Sequence, residues 1–231
     1  MKPISRLIYT TLDQRFPMIG RLIRRVCPGE PFSKVRRVIR GEQNVIRWGN
    51  SILSSVFFDI EGDRNRIDIQ DGCFLKEVTF HLRGDDHRIE IKKGCRFNGG
   101  GSLWFEDSNG SLIIGENSTF ENVHIAVTEP GSQVSIGENC MFAYDIDIRT
   151  GDSHPIIDSK SGARINSAED IYIGKHVWVA AHVILLKGVS ILDDSVVASG
   201  SVVTKRYAEP GVVIAGNPAE IVKRQITWAR R

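Results

Sequence analysis

Residues 171–205 read IYIGKHVWVAAHVILLKGVSILDDSVVASGSVVTK, and the fold follows from this stretch. Every sixth position from Ile173 is aliphatic: Val179, Leu185, Ile191, Val197 and Val203 follow without a break. The positions two earlier, Ile171, Val177, Val183, Val189, Ser195 and Ser201, are aliphatic or small. A period of six is neither helical nor plain strand alternation. It is met by a chain that makes a short strand, turns a corner and repeats, three sides closing one triangular coil whose sixth-residue side chains meet on the axis. Residues eighteen apart, such as Ile173 and Ile191 or Val179 and Val197, then stack. The spacing predicts an all-β protein built as a parallel β-helix. Gly174, Ala180, Gly188, Ala198 and Gly200 fall at or near its corners, where backbone angles are unusual or chains approach closely.

Upstream, the same grammar returns in longer form. RIDIQDGCFL, RIEIKKGCRF, SLIIGENSTF and QVSIGENCMF are one repeated phrase, with Ile69, Ile91, Ile114 and Ile136 equivalent and 22, 23 and 22 residues apart. Each lower coil therefore carries four or five extra residues. After Ile148 the register resumes only at Ile173, so RTGDSHPIIDSKSGARINSAED, from Arg149 to Asp170, is thrown outward from one corner. Long insertions in a regular scaffold are usually functional.

The expected organisation is a basic helical segment over 1–44, a β-helix over 45–205 with a candidate active-site loop at 149–170, and a closing strand and helix over 206–231. Apolar residues interleaved with arginine and broken at Pro17 suggest two short amphipathic helices, capping the first coil or touching a membrane surface. Residues 1–40 hold ten Lys/Arg against Asp13 and Glu30, while the whole chain carries only +2. No nucleic-acid motif accompanies that charge. No apolar run reaches the ~18 residues of a membrane span, and no signal peptide is visible. Cys73, Cys95 and Cys140 sit in matching contexts with no CxxC pair, so they read as reduced core thiols, which favours the cytoplasm, with contact at the inner membrane face through the basic segment.

TGDSHP at 150–155, Arg164, IYIGKHVW at 171–178, ASGSVVTK at 198–205 and AGNPAEIV at 215–222 resemble the left-handed β-helix, hexapeptide-repeat acyltransferases. Within them, the chain is most similar to sugar O-acetyltransferases, both the galactoside and maltose enzymes and those that decorate lipopolysaccharide and capsule. The resemblance covers roughly residues 60–222 and is specific from 145 onward. It implies the left-handed coil, a homotrimer with active sites between neighbouring coils, and acetyl transfer from acetyl-CoA to a sugar hydroxyl of a surface polysaccharide or its precursor, without a metal.

His154 stands at the family's catalytic histidine, and an attacking hydroxyl does need a base whose pKa lies near neutrality. Asp152, two residues away, is favoured as the carboxylate that orients its ring, with Asp145 and Asp147 as alternatives. Asp145 and Arg164 are expected at the acceptor. Trp178, Ala180, Ala181, Ala198, Ser199 and Gly200 are expected along the pantetheine arm, and Thr204, Lys205 and Lys223 near its phosphates. Glu220 and Arg206 depart from the family pattern there.

Three rival readings share parts of this pattern. An N-acetyltransferase acting on an amino-sugar nucleotide or another amine would need the same base and donor site. A zinc hydratase of the γ-carbonic anhydrase type would use His154, His176 and His182, but a spacing of six puts the last two on successive faces. A non-catalytic β-helical scaffold would need no loop histidine.

Overall fold

The computed structural model describes residues 35–230, so the helices expected within 1–34 lie outside the described residues. The described chain is a parallel β-helix with three faces. The first has eight strands, from Arg36–Arg40 through Phe57–Glu61, Val78–Arg83, Gly101–Phe105, Val123–Val127, Ile146–Arg149 and Ile184–Leu185 to Val202–Val203. The second has seven, from Val45–Trp48 to Ser190–Ile191, and the third nine, from Ile52–Ser54 up to the pair Val213–Gly216 and Ala219–Lys223. The stacking predicted by spacing is observed: Ile173 pairs with Ile191 and Val179 with Val197, while Ile69, Ile91, Ile114 and Ile136 form one rung-to-rung column.

Coil length changes partway up. In the lower coils the first-face strands run to five or six residues, as in Val78–Arg83 and Gly101–Phe105, whereas Ile184–Leu185 and Val202–Val203 have two. The extra residues of the longer repeat therefore widen the first face and the corner after it. The solenoid steps inward above Ile146–Arg149, and the long loop leaves at that step.

The interior is a column of aliphatic and aromatic side chains. Phe97, Phe120 and Phe142 stack at centroid separations of 4.5 and 4.6 Å, and Phe58 lies 4.7 Å from Phe80. Cys73, Cys95 and Cys140 are buried free thiols at the second-to-third corner, each directing its sulfur to a backbone carbonyl, Lys92 O, Gly115 O and Gly174 O at 3.1 Å. Corners rely on left-handed residues. At Gly84, with φ of +111°, an added Cβ would stand 1.6 Å from Asp107 O of the next coil, so only glycine fits.

Two expectations at the ends are corrected. The solenoid begins by Arg36 rather than near 45, because Arg36–Arg40 pairs in register with Phe57–Glu61. The closing helix expected over Ala219–Arg230 is absent: Ala219–Lys223 is a strand lying antiparallel on Val213–Gly216. The top coil would otherwise leave its third-face edge without partners, and a β-branched Ile221–Val222 pair on a folded-back strand covers it. Ala219 is fully buried and its carbonyl accepts from Tyr207 Oη at 2.7 Å. Residues 224–230 then run back down the second-to-third corner: Ile226 N donates to Gly211 O, Trp228 Nε1 to His176 O, and Arg230 to Cys140 O.

Removing one ring of the triple phenyl stack leaves a cavity that two fixed neighbouring coils cannot close. Phe120→Ala is expected to cost about 3–5 kcal/mol in chemical denaturation, and an unchanged midpoint would contradict this packing.

Candidate active site

The loop after Ile146–Arg149 is an ordered structure held at the first-to-second corner. Its outer part is a small hairpin in which Asp158 N donates to Ala163 O and Ile165 N to Ile156 O. Its base is organised by Asn166, which is buried. Asn166 Nδ2 donates to Asp152 Oδ2 at 2.8 Å and His154 O at 2.9 Å, and its Oδ1 accepts from Ile156 N at 2.6 Å and Arg164 Nε at 3.2 Å. From the coil below, Glu129 takes Arg164 in a bidentate pair and accepts from Ala168 N. From the coil above, Lys187 Nζ donates to Asp152 Oδ2 at 2.5 Å and to Asn166 O at 2.9 Å.

This arrangement presents His154 in solvent while fixing its backbone, with His154 N donating to Asp152 O at 2.8 Å. It also corrects two expectations. The Asp152 carboxylate does not orient the His154 ring: it belongs to Lys187 and Asn166, and the Lys187 hydrogen bond holds it below the usual carboxylate range. Arg164 is not left for an acceptor sugar, because its guanidinium is committed to Glu129 and Asn166. Burial alone would raise the Glu129 carboxyl, but the Arg164 hydrogen bond and the Ala168 N–H bring it below its ordinary value.

A groove of about 510 Å³ crosses the first face from the third-to-first corner to Arg149, the residue preceding the loop. Gly99, Gly100 and Gly101 form part of its wall without side chains, and Ser102, His124, Asp145, Asp147 and Arg149 supply its polar groups. His124 and Asp147 are paired across adjacent strands. Asp147 Oδ2 accepts from Arg149 Nε at 2.7 Å, while Oδ1 is buried and accepts from no described residue. Asp145, expected at the acceptor, lies at the groove's corner end and accepts from His182 Nδ1 at 2.7 Å.

Directly above on that corner are the small residues expected along a pantetheine arm. Ala180 and Ala181 follow Trp178–Val179, and Ala198, Ser199 and Gly200 follow Val196–Val197 one coil higher. Ser199 and Gly200 are exposed, and a Cβ added at Gly200 would meet nothing within 4 Å, so the backbone is open to solvent there. Trp178 is half-buried, with Trp228 of the returning C-terminal segment 6.1 Å away and itself stacked on His176 at 4.3 Å. Trp228 thus covers part of the Trp178 indole from within the same chain. Thr204 is exposed at the first-to-second corner, Lys205 beside it is paired with Glu220 rather than free for a phosphate, and Lys223 is exposed without an ion pair among the described residues.

The chain thus brings the groove and the small-residue corner together, but holds His154 on the opposite edge of the first face. The three histidines of a zinc site are dispersed: His154 is on the first-to-second corner, His176 on the second-to-third beside Asp194, and His182 on the third-to-first beside Asp145. Sequence reasoning missed Lys187, Asn166 and Glu129, because hydrogen-bonding partners drawn from three coils have no fixed spacing. It also missed the groove, although three successive glycines at a corner were a visible signal.

No protein-family model matches the chain. The polysialic acid O-acetyltransferase of Escherichia coli O1:K1 / APEC is 40% identical over 119 residues, 52% of this chain and 38% of that one. That of Neisseria meningitidis is 36% identical over 124 residues, 54% of this chain and 57% of that one. The alignments thus span well under two thirds of either curated relative. The crystal structure of the polysialic acid O-acetyltransferase OatWY superposes with a TM-score of 0.81 at 34% identity, covering 85% of this chain and 92% of that one.

Because Lys187 lowers the folded-state pKa of Asp152, the ion pair contributes fully above the unfolded carboxyl value and is lost as pH falls through the folded one. The stability difference between wild type and Lys187→Met is expected to be constant from about pH 7 to 5 and to shrink below about pH 4. A difference that persists undiminished in acid would mean that Lys187 acts through packing alone.

Proposed function

The chain belongs to the hexapeptide-repeat β-helix acyltransferases, of the sugar and polysaccharide O-acetyltransferase type, and from that premise we propose that it moves an acetyl group from acetyl-CoA to a hydroxyl of an acidic capsular or surface polysaccharide. The observation that carries this reading is the match to a polysialic acid O-acetyltransferase over 85% of this chain at 34% identity. Those relatives are named for hydroxyl acetylation, which favours a hydroxyl over an amine as nucleophile.

His154 is the general base. Its ring is exposed on a loop whose backbone is pinned by Asn166, so it can meet a substrate without moving its support. It takes the proton from the acceptor hydroxyl as that oxygen bonds to the thioester carbonyl carbon. A backbone N–H of the third-to-first corner donates to the oxyanion, and the C–S bond then breaks with the proton passing to the departing sulfur. No cysteine or serine is set as a nucleophile, and transfer is direct. The thioester arm lies along Trp178, Ala180, Ala181, Ala198, Ser199 and Gly200, with Lys223 toward the nucleotide end.

Two edges of one triangular coil are roughly 15 Å apart, about five residues of strand. The loop histidine and the donor corner of a single chain therefore serve different sites. A homotrimer resolves this, with His154 of one copy facing the small-residue corner of the next. Exposed Ile156, Ile157 and Ile165 on the loop hairpin suit such a contact. The reaction is assigned to the cytoplasm, with the basic segment 1–44 at the inner membrane face.

His154→Ala is expected to lower acetyl transfer to polysialic acid by about 10²–10⁴-fold while acetyl-CoA still binds with near wild-type affinity. Transfer measured by mass increase of the glycan, with donor binding by calorimetry, checks both; retained transfer would remove His154 from the chemistry.

A further inference from the structure

The groove across the first face contains a combination that the reaction outlined above leaves unused. Its glycine wall gives a flat backbone surface: a Cβ at Gly99 would sit 2.4 Å from Glu121 O, and Gly100 has φ of +101°, so side chains are kept out by the coil itself. Facing that surface are groups with spare hydrogen-bonding capacity. Arg149 is held to Asp147 through Nε, which leaves its Nη groups for another partner. Burial depresses the His124 imidazole, so near neutral pH it lines the groove as an uncharged ring that can donate one hydrogen bond and accept another.

We propose that this groove is the subsite for one carboxylate-bearing sugar ring of the acceptor glycan, Arg149 donating to the carboxylate and the His124 ring hydrogen-bonding to a hydroxyl. The assignment deepens, and rests on, the polysaccharide O-acetyltransferase reading. A guanidinium matches the planar, bidentate geometry of a carboxylate, and a neutral imidazole, donor at one nitrogen and acceptor at the other, matches a hydroxyl. The wall's own carboxylates do not oppose an anion without compensation. Asp147 is paired with Arg149, Asp145 bonds His182, and Glu77 lies 3.8 Å from Lys76. The position is suitable too, since the groove ends at Arg149, where the strand gives way to the loop that carries His154. Arg149 is thereby the residue that separates acidic from neutral acceptors.

The test compares a sialic acid oligomer with the same oligomer methyl-esterified at its carboxylates, binding being read by calorimetry without acetyl-CoA. Wild type is expected to bind the acid at least about tenfold more tightly than the ester. Arg149→Gln is expected to lose that preference by weakening the acid alone, and Arg149→Lys to recover part of it. In transfer assays Arg149→Gln should raise KM for the acid about tenfold with kcat changed less than about threefold. Equal binding of acid and ester by wild type, or full retention of the acid preference in Arg149→Gln, overturns the assignment. Because binding is read without the donor, the two readings fail separately. A wild type that binds the acid through Arg149 but acetylates no glycan sinks the transferase reading and supports the groove. One that acetylates polysialic acid equally well with Arg149→Gln does the reverse.

Discussion

The interaction on which the molecule depends is the backbone hydrogen bonding of each coil to the coils above and below it. Apart from the folded-back strand Ala219–Lys223, every face is a parallel sheet whose neighbours in space are a coil apart in sequence, so register within one coil dictates register in the next. Parallel pairing of this kind buries one side of each strand against a common axis, which is why inward positions read as unbroken aliphatic and aromatic series. A solenoid built this way tolerates insertion only where the chain is already turning, at a corner. The long loop and the change in coil length both obey that restriction.

The functional layout follows from the same geometry. Widening the lower coils by four or five residues makes the first face broad enough for a groove, and narrowing it above produces a ledge on which the loop rests. Glu129 from beneath and Lys187 from above reach the loop because corners stack vertically, and Asn166 converts those two anchors into a single hydrogen-bonded base. A histidine can then be exposed on the outside of that base without being loose. Asp152 is spent on the support rather than on the His154 ring.

The C-terminal segment shows how local preference yields to tertiary need. AEIVKRQITWAR has residues that suit a helix, and its position after Asn217–Pro218 invites one. The unfilled edge of the third face and the partly exposed indole of Trp178 exert stronger demands. A folded-back strand answers the first, and Trp228, with its indole donating to His176 O, answers the second. Neither demand can be seen by inspecting those twelve residues alone.

The sequence by itself determined the coil: a six-residue aliphatic period, a four-times-repeated phrase and an interruption from Arg149 to Asp170 suffice to specify stacked triangular turns with one outlying loop. Through the resemblance carried by TGDSHP it also offered His154 as the candidate base. Only the tertiary structure decided which carboxylate has which partner, that Arg164 and Asp152 serve the loop's anchorage, and that Gly99, His124, Asp147 and Arg149 share one groove. The reason is physical. A repeat is a local property, carried by every coil in turn, whereas a site assembled from side chains on three or four stacked coils depends on which residues the pitch brings into vertical contact, and that is settled only when the coils have closed on one another.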